Sequence, residues 1–186
     1  MKRLRHAQLL PVVILISIVL AAGQETGKNA APLQQFQEQV DAYVKLRKRV
    51  TDSLPKMKPT PSAQDLADRK KQLATNLAEA RAGASQGIIF TPAVAAEFRK
   101  LGKQAMDGQR GARVRESLKS AEPVQGQVRV NQVYPSSVPL QSMPPTLLMT
   151  LPKLPMELEY SLVGRTLVLR DFEAGLIVDY LPEAIP

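Results

Sequence analysis

The chain has 186 residues and a net charge of +8, with no cysteine, no tryptophan and one histidine, His6. That length suits one medium domain or two small lobes sharing a core. Without cysteine, disulfides, thiol nucleophiles and thiolate metal sites are excluded from the outset.

Residues 1–23 read as a cleavable signal peptide. Lys2, Arg3 and Arg5 form a positive start, Leu9 to Leu20 is almost wholly apolar, and Ala21-Ala22-Gly23 offers small residues for cleavage. The apolar run is short for a membrane span and lacks the polar face of a core helix. There is no cysteine for a lipid anchor, and Leu4 separates Arg3 from Arg5, which breaks a twin-arginine pair. The expected address is therefore exported, periplasmic or secreted. Cleavage would also remove His6, leaving a mature chain with neither His nor Cys and only its core for stability.

Residues 24–32 are small and polar and read as a disordered tether. Pro32 is expected to open the first helix, where its missing N–H costs nothing. Leu33, Phe36, Val40, Tyr43, Val50 and Leu54 then recur at three- and four-residue spacing, one apolar stripe interrupted by Arg47. Prolines between Pro55 and Pro61 stop this helix. Ser62 with Asp65 forms a capping-box variant that starts a second, antiparallel helix carrying Leu66, Leu73 and Leu77, with Gly83 available to close it. Ile88-Ile89-Phe90 is too short for a helix and reads as a buried extended connector. Thr91-Pro92 predicts an N-cap hydroxyl followed by a first-turn proline, and Val94, Phe98, Leu101 and Ala105 make the third stripe. After Asp107-Gly108 and Gly111 a shorter helix is expected from Ala112 to Leu118, which completes a helical region over residues 33–120.

Over residues 121–186 the period changes. Val128 and Val130 alternate with polar residues, a fourth-strand candidate, and Val133 falls out of phase, which predicts a bulge near Asn131. Six of the 21 residues from Pro135 to Pro155 are proline, which predicts an extended surface wrap. Within it, Thr146 to Leu151 fits about one and a half helical turns. Its interleaved Leu and Met read as docking residues; recognition of the proline-rich stretch by a partner is the alternative. The segment Leu158 to Leu181 then reads as a three-strand meander. A Gly164-Arg165 turn pairs Val163 with Thr166, Leu162 with Leu167, Tyr160 with Leu169 and Glu159 with Arg170. A four-residue second loop would place Val178 opposite Leu169 and Tyr180 opposite Leu167. The predicted fold is α+β: three to four N-terminal helices packed on a C-terminal antiparallel β-meander of three to four strands, in one shared core.

Composition restricts the chemistry. Without His or Cys after processing, histidine general acid–base catalysis, Ser-His-Asp triads and imidazole or thiolate metal sites fall away, and no glycine-rich phosphate loop is present. No cofactor or metal is expected. Carboxylate chemistry survives as an alternative, a hydrolase or lyase using Asp171 and Asp179, although a turn residue and a polar-face residue explain both. It requires that the two carboxylates line one pocket.

Charge is the other clue. Lys28 to Lys119 holds 18 basic and 9 acidic residues, whereas Ser120 to Pro186 holds 4 basic and 7 acidic. This asymmetry points to an anionic partner for the helices, an envelope protein or an anionic membrane surface rather than nucleic acid, or to neutralisation within the molecule. Lys45, Arg47, Lys48, Arg49, Arg69, Lys70 and Lys71 are the candidate anion-facing residues. A solvated, dipole-compensating helix end is the plainer reading of the first four. The leading expectation is a non-catalytic envelope module that binds or scaffolds.

Four segments carry a resemblance: IIFTP (Ile88 to Pro92), VNQVYP (Val130 to Pro135), PPTLLMTLPKLP (Pro144 to Pro155) and LEYSLVGRTLVLRDFEAGLIVDYLP (Leu158 to Pro182). In their order the chain from Leu33 to Pro186 resembles a set of uncharacterised exported bacterial proteins. The resemblance implies a shared fold and a periplasmic address, and carries no catalytic residue.

Overall fold

A computed structural model describes residues 22–59, 61–119, 127–135, 141 and 143–186, so nearly all of the expected signal segment lies outside the described residues. Helices α1 (Ala22–Ser53), α2 (Ala63–Ala80), α3 (Pro92–Met106) and α4 (Gly108–Lys119) come first. A single turn of helix, α5 (Pro145–Leu148), and strands β1 (Leu158–Val163), β2 (Thr166–Asp171) and β3 (Ile177–Leu181) follow. The chain is α+β, with an antiparallel sheet of order β1-β2-β3 whose apolar side is covered by the helices. No helix among the described residues is long and apolar enough to cross a membrane.

The first helix starts earlier than its sequence implies. α1 runs from Ala22, so the stretch read as a tether is helical and Pro32 lies inside the helix. A proline forfeits its own N–H bond, and residues 24–31 contain no other proline to break the spiral. Phe36, Val40 and Tyr43 bury the expected stripe. α2 begins with the predicted capping box: Asp65 N–H donates to Ser62 Oγ at 3.1 Å and Ser62 N–H to Asp65 Oδ2 at 2.8 Å. The Ser62 hydroxyl, which donates to Asp65 Oδ2 at 2.7 Å, and then the Ser62 N–H hold the Asp65 carboxyl below its ordinary range. Its C-cap is Arg81, ahead of Gly83.

Thr91 is the N-cap residue of α3, with Pro92 in the first turn, but its hydroxyl makes no cap bond. It donates instead to Gln35 Oε1 at 3.0 Å and so ties α3 to α1. Phe98 meets Phe36 at 4.8 Å, Phe90 at 5.1 Å and Tyr160 at 6.2 Å between ring centroids, a four-ring cluster that joins α1, the connector, α3 and the sheet. Gly102 exists for close approach: a Cβ there would lie 2.4 Å from the Ala184 carbonyl oxygen. That contact seats the C-terminal residues on α3, where Ala184 and Ile185 are buried. α4 begins at Gly108, four residues before its predicted start.

The first hairpin has the predicted register throughout, Val163↔Thr166 out to Glu159↔Arg170. Gly164 has φ +58° while Arg165 does not turn positive, as a II′ turn requires. Arg170 forms an ion pair with Glu159 across the strands.

The second hairpin corrects the prediction. Its four-residue loop is present, with Asp171 N–H donating to the Leu176 carbonyl at 2.9 Å. A bulge at Leu169/Arg170 then shifts the register, giving Leu169↔Asp179, Val168↔Tyr180 and Leu167↔Leu181. One inserted residue moves each following side chain to the opposite face. Tyr180 therefore packs with Val163, Val168 and Ile177 on the outer side. Leu176, ahead of the shift, packs with Leu73 and Leu77 of α2. Asp179 arrives fully buried against the connector between α2 and α3.

The fourth-strand candidate forms a single bridge, Val133↔Leu176, beside β3. The irregularity expected near Asn131 is there as a left-handed residue, φ +64°. In the wrap, Leu147 and Leu151 dock into the core, while Leu148 and Met149 face outward.

Candidate functional site

The seven cations expected to share one face divide into two groups. Arg47 and Arg69 are structural. Arg47 Nε donates to Asp171 Oδ2 at 2.7 Å and its Nη2 to Glu173 Oε2 at 2.6 Å. Burial alone would lower the Arg47 pKa; Asp171 and then Glu173 outweigh it and raise it. Arg69 approaches the other Glu173 oxygen at 3.7 Å and donates to the Pro55 carbonyl at 2.9 Å. The two arginines therefore clamp the β2–β3 loop to α1 and α2, the helices on either side of the proline link, and the interruption of the α1 stripe at Arg47 has this cause. Lys45, Lys48, Arg49, Lys70 and Lys71 are exposed. Lys48 pairs with Asp52 one helical turn on, at 2.6 Å.

Lys70 and Lys71 differ from the other three in what lies beside them. They line an apolar groove of about 490 Å³ between α2 and the start of β3, together with Ala67, Ala74, Val133 and Leu176. The groove follows from sequence: α2 presents alanines at Ala67, Ala74 and Ala78, where longer side chains would fill the gap to the sheet edge. Neither lysine has an ion-pair partner among the described residues. Lys45, Lys48 and Arg49 do not line the groove, so α1 and α2 do not assemble one seven-residue patch around it.

Asp171 and Asp179 are both fully buried, and both are engaged in holding the fold. Asp171 accepts from Tyr43 Oη at 2.8 Å as well as from Arg47, and from the Ala174 N–H at 2.8 Å. Burial, followed by the Asp171 charge, raises the Tyr43 hydroxyl well above its ordinary value. Asp179 accepts from the backbone N–H groups of Gly87, Ile89 and Phe90 at 2.9, 2.8 and 2.8 Å, and from its neighbour Tyr180. Neither carboxylate lines the groove beside Lys70 and Lys71 or any of four further cavities bounded by described residues. The geometry required for paired-carboxylate catalysis is therefore not assembled around them. No group of three or more His, Asp or Glu that could hold a metal is found among the described residues.

A second cavity, of about 330 Å³, opens between α1 and the α2–α3 connector. Arg81 lines it, buried to 8% exposure. Sequence reading passed over this residue, although Leu73, Leu77 and Arg81 are spaced by four and place a charge on the next position of a buried stripe. Comparison with protein-family models, curated proteins and solved structures finds no match for this chain.

Proposed function

We propose that this chain is an exported, non-catalytic binding module of the bacterial cell envelope, whose α2 face meets an anionic membrane surface. The family resemblance and the signal-like residues 1–23 support the address. The observation that carries the binding reading is the pair Lys70 and Lys71, exposed, without acidic partners among the described residues, and set beside an apolar groove. A lysine near an anionic surface contributes about 1 kcal/mol, falling off within a Debye length of roughly 8 Å at physiological salt. The engagement of Asp171 and Asp179 in structural bonds favours the non-catalytic reading.

The test is sedimentation of the protein with phosphatidylglycerol vesicles and with phosphatidylcholine vesicles across a salt series. Binding only to the anionic vesicles, weakening steeply with salt, is the expected result. Lys70→Glu with Lys71→Glu should abolish it without changing the thermal midpoint, while Lys48→Glu should have little effect. Absence of binding at low salt, or binding insensitive to salt, would overturn the reading.

A further inference from the structure

Arg81 holds hydrogen-bonding capacity that the fold does not use. Its Nη1 donates to Asn131 Oδ1 at 2.6 Å and its Nη2 to the Val178 carbonyl at 2.7 Å. A guanidinium has five N–H donors in one plane, and these bonds account for two. Both acceptors are neutral, and no carboxylate among the described residues pairs with Arg81. Asp179 acts on it only at longer range, since its own oxygens are taken by backbone amides. Burial lowers the Arg81 pKa, and Tyr43 and Asp179 only partly oppose that. Nε has no acceptor among the described residues. Arg81 lines the cavity between α1 and the connector.

That cavity has the composition of a ligand site. Its volume lies within the range of small-molecule pockets, and a few polar groups stand among apolar walls. The guanidinium carbon sits 5.3 Å over the centroid of the Tyr43 ring. Leu46, Ile88 and Ile89 supply the apolar walls. A planar fork of N–H donors matches a carboxylate. Such walls disfavour a strongly hydrated multivalent anion, which would lose its water without replacement.

We propose that this cavity binds a small organic carboxylate with an apolar body, its carboxylate on Arg81 and its hydrocarbon against Leu46, Ile88 and Ile89. This goes beyond the membrane-facing reading, because Lys70 and Lys71 lie in a different cavity.

The test uses full-length ¹⁵N-labelled protein titrated with octanoate and, separately, octanol, followed by NMR. Octanoate should shift the Arg81 Nε–H and the Ile88 and Ile89 amides saturably, and octanol should bind at least tenfold more weakly. Ala42→Phe, on an exposed position at the cavity wall, should lower octanoate affinity at least tenfold with the thermal midpoint unchanged. Arg81→Gln should do the same; if that variant does not fold, Ala42→Phe decides. Equal affinity for octanol, no shift at Arg81, or undiminished affinity in Ala42→Phe would overturn the proposal. Ala42→Phe should keep vesicle binding and Lys70→Glu with Lys71→Glu should keep octanoate binding, so either reading can fail without the other.

Discussion

Asp179 and Phe90 lie 89 positions apart in the chain, and the Phe90 N–H donates to Asp179 Oδ2 at 2.8 Å. With Gly87 and Ile89 completing the set, one side chain from the bulged strand satisfies three backbone donors of the connector between α2 and α3. An irregular segment cannot satisfy buried amides by its own secondary structure. The carboxylate acts here as an internal anion in a nest of N–H groups. It also fixes the wall of the cavity that Ile88 and Ile89 form beside Arg81.

Replacing Asp179 with Ala should therefore cost about 3 kcal/mol or more, since each buried donor left without an acceptor costs roughly 1–3 kcal/mol. Asp179→Asn keeps one acceptor oxygen and should fall between. Urea denaturation measures the loss. Hydrogen exchange should show the Ile89 and Phe90 amides losing protection before those of β2, and uniform loss across the molecule would refute the local account.

Arg47 and Arg69 both reach Glu173, but their removal should differ in effect. Arg47→Met strands the charge of Asp171, which is fully buried, and should cost about 3 kcal/mol. The Arg69 contact with Glu173 is longer and half-exposed, so Arg69→Met should cost about 1 kcal/mol or less. Equal losses in chemical denaturation would mean that Asp171 is not the anchor.

Gly102→Ala should destabilise by about 1–3 kcal/mol, because the added methyl meets the backbone of Ala184 rather than a side chain that can swing aside. Deleting Ala184, Ile185 and Pro186 is costly by itself, since the first two are buried. In the truncated chain the Gly102→Ala change should be nearly silent, and this non-additivity is the diagnostic.

Tyr43 predicts the behaviour in alkali. Burial and the neighbouring Asp171 raise its hydroxyl, and burial raises that of Tyr160, above the unfolded tyrosine value of about 10. The folded state thus holds these protons more tightly than the unfolded chain. Their contribution is complete below about pH 10 and declines above it, as the unfolded state ionises first. Stability should fall beyond about pH 10. Tyr43→Phe, which loses the bond to Asp171, should be less stable at neutral pH yet show a shallower alkaline decline.

Much of the architecture is legible in the sequence because it is local. The Ser62–Asp65 cap, the Pro92 helix start and the Gly164-Arg165 turn each depend on residues a few positions apart. The register from Val163–Thr166 to Glu159–Arg170 follows from counting outward from that turn. Three features depended on tertiary structure. The bulge at Leu169/Arg170 inserts one residue and exchanges the faces of Asp179 and Tyr180, and nothing within β3 announces it. Arg47 and Arg69 look like surface cations until the β2–β3 loop brings Asp171 and Glu173 to them across more than 100 positions. Arg81 becomes a buried, partly unused donor only where α2 ends against Tyr43, Asn131 and Val178. Periodicity reports which way a side chain points from its own element. Whether a charge found there meets an acid, an amide or the wall of a cavity is set by segments far away in the chain, and only the packed structure brings them together.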